Sequence, residues 1–125
     1  MRCWVSYLIE VERNLSTGKG KLTYTQGAVS VSTDCWFELA NPIPARKYTL
    51  CSATLMNSKK NSTGGKREGI YLPDDQTGRG GIFIHMGRNS SWSDGCIVIV
   101  EQELLKIWNS IPKNGNNVSI NVTNK

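Results

Sequence analysis

The sequence predicts a mostly β domain of sandwich or barrel type with one α-helix late in the chain. Three observations carry this expectation. Apolar and polar residues alternate in several short stretches, the two-residue period of a half-buried strand. Gly, Pro, Asn and Ser break the chain between those stretches, as turns require. Only residues 101–110 show the three-to-four residue spacing of a helix with one apolar face.

Taken in order, Val5, Tyr7, Ile9 and Val11 alternate with Trp4, Ser6, Leu8 and Glu10 and predict a first strand. A turn at residues 14–20 follows. Residues 21–32 read as a second strand region, with Leu22 and Tyr24, then Val29 and Val31 beyond a break at Gly27; it forms a hairpin with the first. Residues 34–39 are a short aromatic-rich segment. Asn41-Pro42-Ile43-Pro44 is extended, because each proline lacks an N–H and restricts the residue before it. Residues 48–56 predict a strand. Residues 57–69 are polar with a Ser-Thr-Gly-Gly centre and predict a mobile loop, a candidate lid. Residues 70–72 form a short strand stopped by Pro73, and residues 74–81, with three glycines, read as a loop. Ile82-Phe83-Ile84 and Ile97-Val98-Ile99-Val100 predict adjacent buried strands. In the helix, Leu104, Leu105 and Trp108 share a face, and acidic residues in the first turn complement the dipole. Pro112 and Gly115 end it. Val118, Ile120 and Val122 alternate in a last strand.

Length, the lack of repeats and the lack of a linker make residues 1–125 a single domain. Fifteen Lys and Arg against ten Asp and Glu give a net charge of +5, which favours anionic partners: nucleic acid, an acidic membrane surface or a wall polymer. Lys59, Lys60, Lys66 and Arg67 share the polar loop, and the other basic residues are scattered. No basic face with interleaved aromatic residues marks a nucleic-acid binder. No stretch approaches the ~18 apolar residues of a membrane span. The N-terminus alternates and soon meets Glu10 and Glu12, so it lacks the apolar core of a secretory signal. The expectation is a cytoplasmic protein, one exported by another route, or a mature or excised form. The four cysteines, Cys3, Cys35, Cys51 and Cys96, form no C-x-x-C, which argues against a structural zinc site. Cys3, Cys35 and Cys51 either include one disulfide pair or are buried thiols.

Chemistry concentrates between Arg79 and Val100. His85 is the only histidine of the chain, and Cys96 follows eleven residues later at the end of Ser93-Asp94-Gly95-Cys96. A thiol is mostly protonated at neutral pH, and a neighbouring imidazole makes it a nucleophile by taking its proton. Gly95 lets the backbone fold tightly before the thiol, so the Gly95 and Cys96 N–H groups can point at a developing oxyanion. Gly87 and Ser93 keep the loop small. Ser90, Ser91, Trp92 and Asp94 rim the cleft. Either Asp94 or a backbone carbonyl orients His85.

The segment I-H-M-G-R-N-S-S-W-S-D-G-C-I resembles the active-site motif of L,D-transpeptidases of the YkuD type: a His, a Gly, then Ser-x-Gly-Cys and an apolar residue. The short His-to-Cys spacing and the upstream N-P-I-P-A-R-K-Y-T-L are more similar to the small L,D-transpeptidase effectors of type VI secretion, whose P-I-P-x-G-x-Y element precedes the same motif. The resemblance covers roughly residues 36–108. It implies a β-rich YkuD-like fold and a Cys nucleophile acting on the peptide stems of peptidoglycan, with no cofactor or metal. Cys96 would attack the L-centre carbonyl of the third stem residue, with His85 as base and then acid. Ser93 and Gly95 would shape the loop, and the thioester would pass to water, a D-amino acid or another stem's amine. The resemblance also implies a toxin secreted without a Sec signal, acting in the target periplasm, with a cognate immunity protein in the producer. Three positions depart from the family pattern. Asp94 stands where His is commoner, Val98 where Arg is commoner, and Arg46 where Gly is usual. Arg79 or Arg88 would then supply the cation for a stem carboxylate, with Gly87 and Trp92 beside the substrate. Two other readings compete: a non-enzymatic binding module for an anionic polymer, and a papain-like amidase. The latter usually places Cys before His, the reverse of the order here.

Overall fold

In β1 (Tyr7–Asn14) the predicted alternation is realised, and its inward positions are Ile9, Val11 and Arg13. The computed structural model describes residues 6–93 and 95–125. Trp4, Val5, Cys3 and Asp94 lie outside the described residues, as does the side chain of Ser90. β2 (Lys19–Gln26) pairs antiparallel with β1, as the hairpin reading requires. The region beyond Gly27 is a separate strand, β3 (Val29–Phe37), antiparallel to β2. It absorbs most of the aromatic-rich segment, because Val31, Cys35 and Phe37 keep the same inward phase. β4 (Lys47–Lys60) and β5 (Lys66–Tyr71) form an antiparallel hairpin. Residues 57–69 are therefore mostly strand rather than a mobile loop, and only residues 61–65 turn the chain.

α1 (Asp74–Thr77) is a four-residue helix inside the segment read as a loop. Pro73 precedes it, Asp74 and Asp75 occupy its first turn, and Gly78 closes it in the left-handed conformation. The signals are those of a helix, but one turn is too short to show a period. β6 (Phe83–Met86) and β7 (Ile97–Ile99) are adjacent, as expected, and run parallel. α2 (Glu101–Asn109) is the late helix, and β8 (Val118–Asn124) the last strand. Leu104 and Ile107 are the fully buried helical positions, with Leu105 and Trp108 half-buried.

The strands close into a barrel in the order β1-β2-β3-β7-β6-β5-β4-β8. The first and last strands pair in parallel, Tyr7 opposite Val118 through Arg13 opposite Asn124. One core fills it. Ile9, Leu22, Ile70, Ile84, Ile97 and Ile120 pack with Leu104, Ile107 and Ile111 of the α2 region. Tyr24 shares a 2.7 Å hydrogen bond with Ser110, and Trp108 Nε1 donates to the Thr54 carbonyl at 2.8 Å, so α2 is tied to two strands. Cys35 and Cys51 are buried free thiols, and burial pushes both up to about 12. Among the described residues no helix is long and apolar enough to cross a membrane, and no group of His, Cys, Asp and Glu is placed to hold a metal.

Candidate active site

Parallel neighbours need a connection long enough to return along the first strand. Between β6 and β7 that connection is residues 87–96, whose described residues hold one 3-10 turn, Ser90–Trp92. This loop carries Trp92, Ser93, Gly95 and Cys96. It folds over the face of the β6–β7 pair that points away from the core. Ile84, Ile97 and Ile99 enter the core, so His85 and Val98, opposite each other in register, lie on the other face.

Cys96 stands just before β7 and is buried against the core. Its Sγ lies beside the start of β6: the Phe83 N–H donates to it at 3.4 Å, and the thiol donates to the Gly81 carbonyl at 3.6 Å. His85 follows Phe83 by two residues on the same face. The thiol and the imidazole are each 4% exposed. Parallel alignment puts Cys96 beside the first residue of β6 and His85 two residues further along the same strand.

His85 Nδ1 lies 2.8 Å from the Met86 carbonyl. A carbonyl only accepts, so Nδ1 carries the hydrogen and the neutral ring keeps its lone pair on Nε2. Of the two orienting groups the sequence allowed, the backbone carbonyl is present among the described residues.

Ser93 is buried and joins two elements. Its hydroxyl donates to the Cys96 carbonyl at 2.5 Å and accepts the Glu38 N–H at 3.2 Å, which ties the Cys96 turn to the end of β3. Gly95 has φ +87°, a conformation that disfavours any side chain, and a Cβ there would lie 2.8 Å from Arg79 Nη1. A Cβ on Gly87 would lie 2.8 Å from the Cβ of Trp92 and 2.9 Å from that of Val98, so glycine is what lets the loop lie flat. Val98 is fully buried beneath it.

The structure separates the two predicted cations. Arg88 lines a cleft of about 250 Å³ with Gly87, Trp92, Glu101 and Ser62, beyond the His85 end of β6. The β4–β5 turn forms one wall: the Ser62 N–H donates to Glu101 at 3.1 Å, and the Arg67 guanidinium sits 5.7 Å from the Trp92 ring centroid. Arg79 lies at the other end, against Gly95, and donates to the Asn41 carbonyl.

That carbonyl belongs to the Pro-Ile-Pro element, which has no regular structure and is held by donors from elsewhere. Arg13 Nη1 donates to the Ile43 carbonyl at 2.8 Å, Tyr48 Oη to the Pro44 carbonyl, and the Val122 N–H to the Arg46 carbonyl at 2.9 Å. Arg13 is 2% exposed; it also donates to Asn124 and packs 5.2 Å from the Phe37 ring centroid. Neither Arg13 nor Glu101 stood out in the sequence as part of the site. The signal for Arg13 was an arginine in the inward phase of an alternating strand.

Residues 12–120 match the family described as the L,D-transpeptidase catalytic domain, YkuD. The chain belongs to this family. The crystal structure of Mycobacterium tuberculosis L,D-transpeptidase 1 superposes with a TM-score of 0.53 at 12% identity, over 94% of this chain. At that identity the likeness is one of fold. The present chain spans 62% of the length of that structure's chain. No curated protein matches the sequence. The YkuD assignment agrees with the mostly β architecture and with the order His, Gly, Ser, Gly, Cys along the β6–β7 connection.

Proposed function

We propose that this YkuD domain is a cysteine-dependent L,D-transpeptidase and L,D-carboxypeptidase that acts on peptidoglycan stem peptides through a Cys96 thioester. One observation carries the reading: Cys96 Sγ is seated against β6 at Phe83, two residues before a histidine whose Nδ1 is fixed on a carbonyl. The thiol proton passes to His85 Nε2. Sulfur adds to the carbonyl carbon of the third stem residue, and the Gly95 and Cys96 amides receive the oxyanion. Collapse breaks the bond to the terminal D-alanine, whose amine takes the proton back from His85. The thioester then passes to water, a D-amino acid or the amine of a second stem. Ser93 and Gly95 hold the turn. Arg88, Gly87 and Trp92 line a cleft suited to a stem chain that carries carboxylates, with Glu101 placed for its amines.

Purified disaccharide tetrapeptides, incubated with the protein and with Cys96→Ala, test this by mass spectrometry. Loss of the terminal D-alanine, or its replacement by an added D-amino acid, is expected only with Cys96 present. Unchanged stems of every length with both proteins would overturn it.

We further propose an antibacterial effector role, by type VI delivery, with a cognate immunity protein. It rests on the short motif spacing and the Pro-Ile-Pro element. Lysis or growth arrest on periplasmic expression, abolished by Cys96→Ala, is the expected result. Normal growth with an active enzyme present would remove that role and leave the chemistry standing.

A further inference from the structure

We propose that Arg79 is a positioning residue for Cys96: its guanidinium, held between the Asn41 carbonyl and the Gly95 backbone, locks the turn before the nucleophile and adds a fixed positive charge that favours the thiolate. The proposal takes Cys96 as the nucleophile of the function proposed above and does not depend on which substrate it attacks.

Arg79 is pinned at its backbone and at its tip. Its carbonyl accepts the Thr77 hydroxyl at 2.6 Å, and its N–H donates to the same oxygen at 3.4 Å, so the end of α1 sets where the residue stands. At the tip, Nη2 donates to the Asn41 carbonyl of the Pro-Ile-Pro element. The guanidinium rests on Gly95: a Cβ there would lie 2.8 Å from Nη1 and 3.1 Å from Cζ. Two residues further on, the Gly81 carbonyl receives the Cys96 thiol at 3.6 Å. The segment from Arg79 to Gly81 therefore meets the nucleophile turn twice, through a cation on Gly95 and a carbonyl on the sulfur.

The two contacts have opposite electrostatic sense. The Gly81 carbonyl favours the protonated thiol, while the guanidinium favours the thiolate. Among the described residues Arg79 makes no ion pair with a carboxylate, and its guanidinium donates to a neutral carbonyl. The other titratable groups around the turn and the Arg79–Gly81 segment are His85 from β6, Glu38, which follows β3 and whose N–H meets Ser93, Tyr48 of β4, whose phenol feels the Arg79 charge, and Asp74 of α1, whose carboxylate lies against Gly80. Asp94 precedes Gly95 outside the described residues. The fork of a guanidinium reaches two partners at once, which an ammonium does not.

The test is the pH dependence of Cys96 alkylation by iodoacetamide in the whole protein, with the modified residue located by peptide mass spectrometry. Arg79→Met is expected to move the midpoint to higher pH and to slow alkylation at pH 7 by about three- to tenfold. Arg79→Lys is expected to recover part of that loss. Thermal unfolding reports whether each variant folds. An unmoved midpoint in folded Arg79→Met overturns the proposal. If Arg79→Met does not fold, Arg79→Gln, which keeps a donor for Asn41 without the charge, decides in the same way. Because alkylation needs no stem peptide, an enzyme inactive on muropeptides but with a shifted profile would refute the substrate reading and leave the Arg79 assignment intact.

Discussion

Ser93 does more in this site than keep a loop small. Its hydroxyl is spent on the Cys96 carbonyl and the Glu38 N–H, so it fixes the peptide plane that follows Cys96. Removing it leaves a buried acceptor and a part-buried donor without their partner, at a cost of about 1–3 kcal/mol. Ser93→Ala is therefore expected to lower stability by that amount in urea denaturation and to cut turnover on muropeptides more than alkylation of Cys96. Equal losses in both rates would mean that Ser93 acts on the thiol itself. The motif Ser-x-Gly-Cys and the single histidine upstream of it were legible in the sequence. The Met86 carbonyl, the Phe83 N–H and the Gly81 carbonyl were not, because backbone groups leave no trace in residue identity. Their roles follow from which strands become neighbours.

At the scale of elements, the Pro-Ile-Pro segment shows how an irregular stretch is held. Prolines remove its N–H groups from any ladder, so order comes from donors that reach its carbonyls. Arg13 is the buried one. Burial pulls its guanidinium below its ordinary value, and the Ile43 carbonyl, Asn124 and the Phe37 ring compensate the charge. Arg13→Ala breaks three contacts in a buried place and is expected to cost about 3 kcal/mol. It should also reduce turnover while the Cys96 turn, held by Ser93, keeps its reactivity. A thermal midpoint within one or two degrees of the parent would show that the strut is dispensable. The β4–β5 hairpin teaches the complementary lesson. Its polar composition reads as a loop, yet Asn61 gathers the Thr63 and Gly65 N–H groups and bonds the Glu68 carboxylate, which closes a turn between two exposed strands. Polar side chains were building the turn rather than dissolving the strands. The hairpin tip reaches Glu101 and so becomes a wall of the cleft rather than a lid.

The whole barrel carries two buried thiols that the chemistry does not use. Cys35 and Cys51 are pushed up to about 12, chiefly by burial, so the folded state keeps protons that the unfolded state releases near its ordinary value of about 8.5. Their contribution is fully present below that value and is lost as pH rises toward 12. Stability should fall from about pH 8.5 upward, by about 1.4 kcal/mol per pH unit for each thiol. Urea midpoints between pH 8 and 9 measure this, below the value of about 10 at which unfolded tyrosines ionise and at which Tyr24, Tyr48 and Tyr71, all raised in the folded protein, add to the fall. A Cys35→Ala, Cys51→Ala protein should start less stable and show a flatter profile. An unchanged slope would place the alkaline transition elsewhere.

The sequence by itself determined the strand faces, the late helix, and the histidine, glycines and cysteine of the motif, because each depends on local period or on side-chain chemistry. Only the tertiary structure decided that β1 pairs with β8 to close the barrel and that β6 and β7 run parallel. Pairing partners are chosen by non-local burial of a shared core, and no local pattern encodes that choice. The same closure set Arg79 against Gly95 and Arg88 in the cleft beyond His85, two arginines that composition and spacing had left interchangeable.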